Sequence, residues 1–491
     1  MKKLALFAGA AALVAIGFMV FMTNSITQRK VEAVQLHTVK ADIKENEGNN
    51  WKYKEAFPHE FHSWLKTKDN KPAKTDVLAD NPAVAIIFGD SGMSKSREGT
   101  TGHYYGLIGL YEPLRAGAKG ASNPTCVACH SSDVPRLIEQ YGEDGFFAAT
   151  KFNMLEETTN PIGCANCHDT KTMGLKVTLP HAIDGIKEMG KDPNNLSQGE
   201  LRNFVCVQCH SEYYSKKVLV DDKNVSKLVT PLKYFENIEK LEEFYDKKAQ
   251  KDYTHNLSKT PMLRAQHSEA GMAMNGIHYQ RGVSCADCHM PYVKEGGVKY
   301  TSHDSKSPVS RIDKTCQNCH KESEQTLMND INNRKSIYQA NVASLEKTLA
   351  DTHLLVKKAL DAGAKVEELT SIHEHLRTSQ WRWDYVASAR GSFFHAPIEA
   401  MRLVATGLDH AHKAKEETIL LLAKMGITDL SVPDYSSKEK AAAIVGIKHA
   451  DLEKKQGAYI KEKVLPALDK AVKEGKLDKR QYEGYKPRFV E

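Results

Sequence analysis

No cysteine in this chain stands alone: all ten lie inside five copies of one motif, so none is left over for a structural disulfide. Alternation of apolar and polar residues is scarce, which argues against a sandwich or barrel. A strong charge of one sign is also missing, since the formal net charge is only +6 over 491 residues, and this makes no case for a nucleic-acid partner. Mean hydropathy is negative, so the chain is not a multi-span membrane protein. Disorder is excluded as well, because 41% hydrophobic and 26% charged residues are ordinary for a folded soluble protein.

The five copies are Cys126-Val-Ala-Cys129-His130, Cys164-Ala-Asn-Cys167-His168, Cys206-Val-Gln-Cys209-His210, Cys285-Ala-Asp-Cys288-His289 and Cys316-Gln-Asn-Cys319-His320. Cys-x-x-Cys-His attaches a c-type haem: the thiols add to its vinyl groups as thioethers, and the adjacent imidazole reaches the iron. Disulfides or zinc would account for paired cysteines, but neither explains a histidine after every second one. The sequence therefore predicts five covalent haem c groups. Their propionates and oxidised iron porphyrin cores bring the formal charge of +6 to about +1, so a small anion would be steered by local clusters alone. Porphyrins supply flat apolar surface. Residues 100–325 are thus expected to be loop-rich, with short helices wedged between macrocycles and turns at Ser122-Asn123-Pro124 and Asn160-Pro161.

At the start, Lys2 and Lys3 precede an uncharged run at residues 4–22, 19 residues long, followed by Thr23-Asn24-Ser25. This pattern describes an export signal, while its length, nearly enough to span a bilayer, leaves a retained N-terminal anchor as the alternative. Either way the body of the protein lies outside the cytoplasm, where c-type haems are attached. Beyond His320 the texture changes. Leu345, Leu349, Leu354, Val356 and Leu360, then Leu403, Leu408 and Leu420–Leu422, recur at helical spacing, with breaks expected at Gly363 and Pro397 and a further helical stretch over 438–473. The organisation is an export or anchor segment at 1–25, a five-haem region at 26–325 and a helical region at 326–491. The fold class is mainly α, a multihaem cytochrome c with a haem-packed, loop-rich N-terminal part and long C-terminal helices. Those helices either meet a second subunit or simply pack on the haem core.

Five of the 21 histidines are proximal ligands, and sixteen remain. An electron-transfer haem takes a second axial histidine, whereas a catalytic haem keeps one face free. Counting does not separate the cases. Arg115, close before the first motif, Tyr213, just after the third, and His267, before the fourth, are the residue types that reduction of an oxyanion needs: a cation to bind it and groups to donate protons. Each also has a plain alternative. Arg115 could hold a haem propionate, Tyr213 could be a packed aromatic, and His267 could be a distal ligand or a surface residue.

At these residues the chain resembles the pentahaem, ammonia-forming cytochrome c nitrite reductases (the cytochrome c-552 family). The resemblance runs from about Trp51 to the end. It is carried by Gly102-His103-Tyr104-Tyr105, Cys206-Val-Gln-Cys-His-Ser-Glu-Tyr-Tyr214, Lys259-Thr-Pro-Met-Leu-Arg-Ala-Gln-His267, Gly276-Ile-His278, Cys285-Ala-Asp-Cys-His-Met-Pro-Tyr292, Gln380-Trp-Arg-Trp-Asp384 and Phe394-His-Ala-Pro397. It implies that Arg115, Tyr213 and His267 bind and protonate nitrite. It also implies that His303, His103, His395 and His278 are distal ligands of the second to fifth haems. A calcium ion is implied beside the active haem, with Glu212 and Gln266 as side-chain ligands and Tyr213 and Arg264 as main-chain ones. The family more often has lysine at position 264, and usually Cys-x-x-Cys-Lys at the first motif, where this chain has His130. The resemblance further implies a homodimer in the periplasm. Its electrons would come from a membrane-bound multihaem quinol dehydrogenase or a small soluble donor. Two other readings stay open: a carrier with every iron doubly ligated, and a reductase of hydroxylamine or sulfite.

Overall fold

The computed structural model describes residues 9, 13–26, 43–70, 75–97, 102–117 and 123–490. The export or anchor expectation for 1–25 falls partly outside this set. Among the described residues no helix is long and apolar enough to cross a membrane.

A short helix, α1 (Ala83–Phe88), precedes the haem motifs, and three long ones follow them: α2 (Glu324–Asp361), α3 (Thr370–Ser388) and α4 (Pro397–Lys424). Local chemistry sets their ends. The Ser323 side chain accepts the Thr326 amide to start α2. Gly363 lies in the turn after α2, and Pro397, whose fixed φ suits the first helical turn, opens α4. The breaks expected at Gly363 and Pro397 are therefore where the helices divide. Leu345, Leu349 and Val356 of α2, Leu376, Trp381, Trp383 and Tyr385 of α3, and Leu403 and Ala411 of α4 are buried in one core, joined by Ile86, Ile87 and Phe88 of α1. Each such large apolar side chain contributes about 1.5–3 kcal/mol of transfer free energy.

A second core surrounds the first motif. Phe61, Trp64, Tyr104, Leu107, Ile108 and Val127 pack there with Leu468, Leu477, Tyr482 and Tyr485 from the far end of the chain. The last helix, α5 (Lys479–Val490), clasps the segment 104–112. Gln481 donates to the Tyr104 carbonyl at 3.4 Å. Arg488 donates from Nε and Nη2 to the two Glu112 carboxylate oxygens at 2.9 and 2.6 Å, with its guanidinium over the Tyr105 ring at 4.8 Å.

Strand content is small, as the sequence suggests, but not nil. Among the described residues there are three antiparallel two-stranded ribbons, Tyr214–Val220 with Lys223–Val229, Tyr253–Thr254 with Pro261–Met262, and Tyr292–Glu295 with Val298–Thr301. The first turns at Asp221 and Asp222, both at positive φ, which aspartate tolerates better than most residues. The third ends two residues before His303 and so aims that side chain.

Candidate functional site

Each motif is seated by a local device. Asn123 caps the helix Pro124–Val127 by accepting the Thr125 amide, with Pro124 at its first position, so that Cys126 and Cys129 lie a turn apart. The third motif ends the helix Gln198–Val207, which starts with a reciprocal Ser197–Glu200 cap. Ser284 and Asp287 form the same kind of cap around the fourth. The third motif is the meeting point. The Cys209 thiol lies against Cys129, the Cys206 thiol against Cys285, and Cys167 Sγ is 3.8 Å from the Val205 carbonyl oxygen. All ten cysteines are free of disulfides.

Spacing between imidazoles tests whether haems fit. An iron about 2.0–2.1 Å from one nitrogen of each of two imidazoles sets the ring centroids about 6.3 Å apart. His168 and His303 are separated by 6.1 Å, and His289 and His395 by 6.2 Å. The distance from His278 to His320 is also 6.2 Å. These rings are too far apart to stack and have the right gap for one metal each. His103 is half-buried near His210, His303 and His130, and the Ser305 hydroxyl meets its Nδ1 at 3.3 Å. Gly276 allows two of these ligand loops to meet, since a Cβ there would fall 1.8 Å from the His395 carbonyl oxygen. Burial, with neighbouring histidines, lowers His103, His303 and His289 to about 4. The rings are thus neutral, as metal ligation requires. Three of the expected pairs therefore have the spacing of a doubly ligated haem, while His103 lies among His210, His303 and His130.

The first motif differs. Among the described residues His130 has no second imidazole at that separation. Burial lowers its pKa, and the cationic groups that add to the effect are His267 and Arg115. Arg115 also acts on Cys126, and Tyr213 feels both Cys126 and Cys129. Burial pushes the Tyr213 phenol well up, so it stays protonated. The Arg115 amide donates to Ser96 Oγ at 3.0 Å, which fixes its backbone. The three residue types singled out in the sequence thus gather at one motif.

Two groups at this site carry no signal of their own in the sequence. Glu269 lies half-buried between His210 and His267, its carboxylate oxygens 4.0 and 3.8 Å from their Nδ1 atoms. Although burial opposes it, those two histidines hold its carboxyl well below the usual range. The 6.5 Å separation of His210 and His267 therefore reflects a shared carboxylate on the Nδ1 side. Ser268 fixes this stretch by donating to the Tyr385 carbonyl. The other group is the Gly106 carbonyl, which accepts from His130 Nδ1 at 2.6 Å.

The residues expected around calcium are adjacent, but the side-chain oxygens of Glu212 and Gln266 are engaged by protein donors. Glu212 accepts the Gln266 amide at 2.6 Å and the Tyr245 hydroxyl at 3.3 Å. Arg264 Nη2 donates to Gln266 Oε1 at 3.2 Å, while the Arg264 amide donates to Asp252 at 2.8 Å. Calcium takes six to eight oxygens, waters included, with side-chain oxygens among them. With a guanidinium on Gln266, this arrangement does not fit the ion.

The family model for cytochrome c552 matches residues 49–479. A cytochrome c-552 of Maridesulfovibrio salexigens is 38% identical over 481 residues, covering 95% of each chain. One from Parabacteroides distasonis is 38% identical over 437 residues, 86% of this chain and 87% of its own. Among solved structures, the cytochrome c nitrite reductase of Desulfovibrio desulfuricans, described with two calcium sites, superposes with a TM-score of 0.71 at 25% identity, covering 79% of this chain and 90% of that one.

Proposed function

Because the chain belongs to the cytochrome c552 family, we propose that it is a periplasmic nitrite reductase that forms ammonium. Four of its five haems would be held between two histidines, and the one at Cys126 and Cys129 by His130 alone. The observation that carries this is the contrast among the imidazoles. Three pairs have the gap of a single iron, whereas the groups acting on His130 include Arg115 and His267; His103 lies near His210, His303 and His130 and is assigned to His210 by the resemblance.

When bound, the haems supply electrons and an iron for the nitrite nitrogen. The chain's own residues do the rest. Arg115 pairs with the nitrite oxygens, its planar donors matching a bent anion. His267 and the protonated Tyr213 donate hydrogen bonds and then protons as the N–O bonds break, each oxygen leaving as water. Nitrite, six electrons and eight protons give ammonium and two waters. Glu269 orients the His267 ring from its Nδ1 side, which turns Nε2 toward the substrate. The contacts of the third motif with the first, second and fourth support electron delivery through it. In place of the calcium of the Desulfovibrio desulfuricans enzyme, Arg264 supplies the positive charge beside Gln266. A homodimer through the long helices, fed by a membrane quinol dehydrogenase or a small soluble donor, completes the reading.

Product analysis tests it. Nitrite added to the viologen-reduced holoprotein should yield ammonium one for one, with a high-spin haem signal in the resting enzyme. A spectrum of purely low-spin haem and no ammonium would instead mean an electron carrier.

A further inference from the structure

The five proximal histidines differ in what holds their outer nitrogen. His130 Nδ1 donates to the Gly106 carbonyl at 2.6 Å and His168 Nδ1 to the Met173 carbonyl at 2.8 Å. His289 reaches the Lys306 carbonyl only at 3.2 Å. His210 and His320 have a carboxylate at 4.0 and 3.7 Å. The shortest of these bonds therefore belongs to the first motif. An N–H bonded to an acceptor makes the imidazole a stronger electron donor and stabilises the ferric ion on its other nitrogen.

The acceptor is built in rigidly. Gly106 has ordinary helical angles, so its lack of a side chain serves close packing: a Cβ would fall 2.6 Å from Ile162 Cδ1 and 3.1 Å from the His103 carbonyl oxygen. On one side of it the Tyr104 amide donates to Thr67 Oγ1 at 3.1 Å. On the other, Leu107 and Ile108 are fully buried and Glu112 is tied to Arg488.

We propose that the Gly106 carbonyl is a positioning group for the catalytic iron: by fixing the His130 ring and drawing on its Nδ1 proton, it raises the donor strength of that imidazole. This rests on the reading of His130 as the sole protein ligand of the first haem. It gives that iron a lower potential than a freely hydrated imidazole would.

The test uses resonance Raman spectroscopy of the reduced holoenzyme, where only a five-coordinate haem shows an iron–histidine stretch, together with redox titration of the high-spin haem. Gly106→Ala, which displaces the carbonyl, should lower the stretching frequency. It should also move the ferric-to-ferrous balance about tenfold toward ferrous, which is ~59 mV for one electron. Gly106→Ala/Ile162→Ala, which removes the contact with Ile162 and leaves only the 3.1 Å approach to the His103 carbonyl oxygen, should bring both back toward the wild type while all five haems stay attached in each variant. An iron–histidine band and a potential unmoved by Gly106→Ala would overturn the proposal. A reduced spectrum with no such band in the wild type would overturn the reading of His130 beneath it.

Discussion

Arg488 gives the sharpest test of how the first motif is enclosed. Its guanidinium makes two hydrogen bonds to Glu112, and the two side chains are only 12% and 5% exposed. Replacing Arg488 with methionine keeps the apolar stem and takes the guanidinium's two hydrogen bonds away from the Glu112 carboxylate. Stranding one member of a buried pair costs ~3–5 kcal/mol, or roughly a 100- to 4,000-fold rise in local opening at 1.4 kcal/mol per tenfold. The effect should concentrate on the amides that hold the segment together, those of Leu110, Tyr111 and Glu112, which donate to the Leu107 and Ile108 carbonyls. Hydrogen exchange with mass spectrometry reads it directly. Glu112→Gln/Arg488→Met should exchange within about tenfold of the wild type, because removing both members of a buried pair is close to neutral. The sign with pH follows. In Arg488→Met the carboxyl has lost a cation that favours its charged form, so the deficit shrinks as pH falls from 7 toward the unfolded value of about 4.3. Unchanged exchange in the single variant, or a double variant no better than the single, refutes the reasoning.

Arg115→Ala should lower kcat/KM for nitrite by about 10- to 150-fold, the worth of a charge-assisted hydrogen bond of ~1.5–3 kcal/mol, with five haems retained; steady-state kinetics and a haem count check it. Because Arg264 engages Gln266, a chelator should leave wild-type activity intact, and Arg264→Lys should become chelator-sensitive in the same assay. His255 and His353, stacked at 3.9 Å in the helical core, are held neutral by burial, His255 down to about 4. Their contribution to stability is complete above about pH 6.5 and declines as pH falls toward 4, by up to ~1.4 kcal/mol per pH unit each; denaturant titrations of His255→Asn/His353→Gln should show a shallower slope there.

Much of this was legible because covalent haem attachment leaves a fixed mark. The five motifs, the scarcity of strands and the helix breaks at Gly363 and Pro397 follow from residue type and spacing alone. The resemblance supplied the distal histidines, and the ring separations at His303, His395 and His278 agree with it. What spacing does not encode is contact across the chain. Glu269 looks like any first-turn acidic residue of a short helix, and only folding sets it between His210 and His267. Gly106 acts through its carbonyl, which every residue has. The ribbon at Tyr214–Val220 was hidden because both its faces are largely exposed, so no apolar alternation is required, and Asp221-Asp222 is a weaker turn signal than Asn-Gly. Arg264 is read only when its guanidinium is seen on Gln266.

The clasp of α5 on residues 104–112 has a bearing on the order of assembly. Tyr104 and Gln481 are 377 positions apart in sequence, so this closure is among the least local in the molecule and, on polymer grounds, late. Cys126 and Cys129 must meet their porphyrin while the surrounding wall is still open. The tail then seals around a cofactor already in place, and a chain shortened by its final helix should still load its haems yet leave the first of them loosely housed.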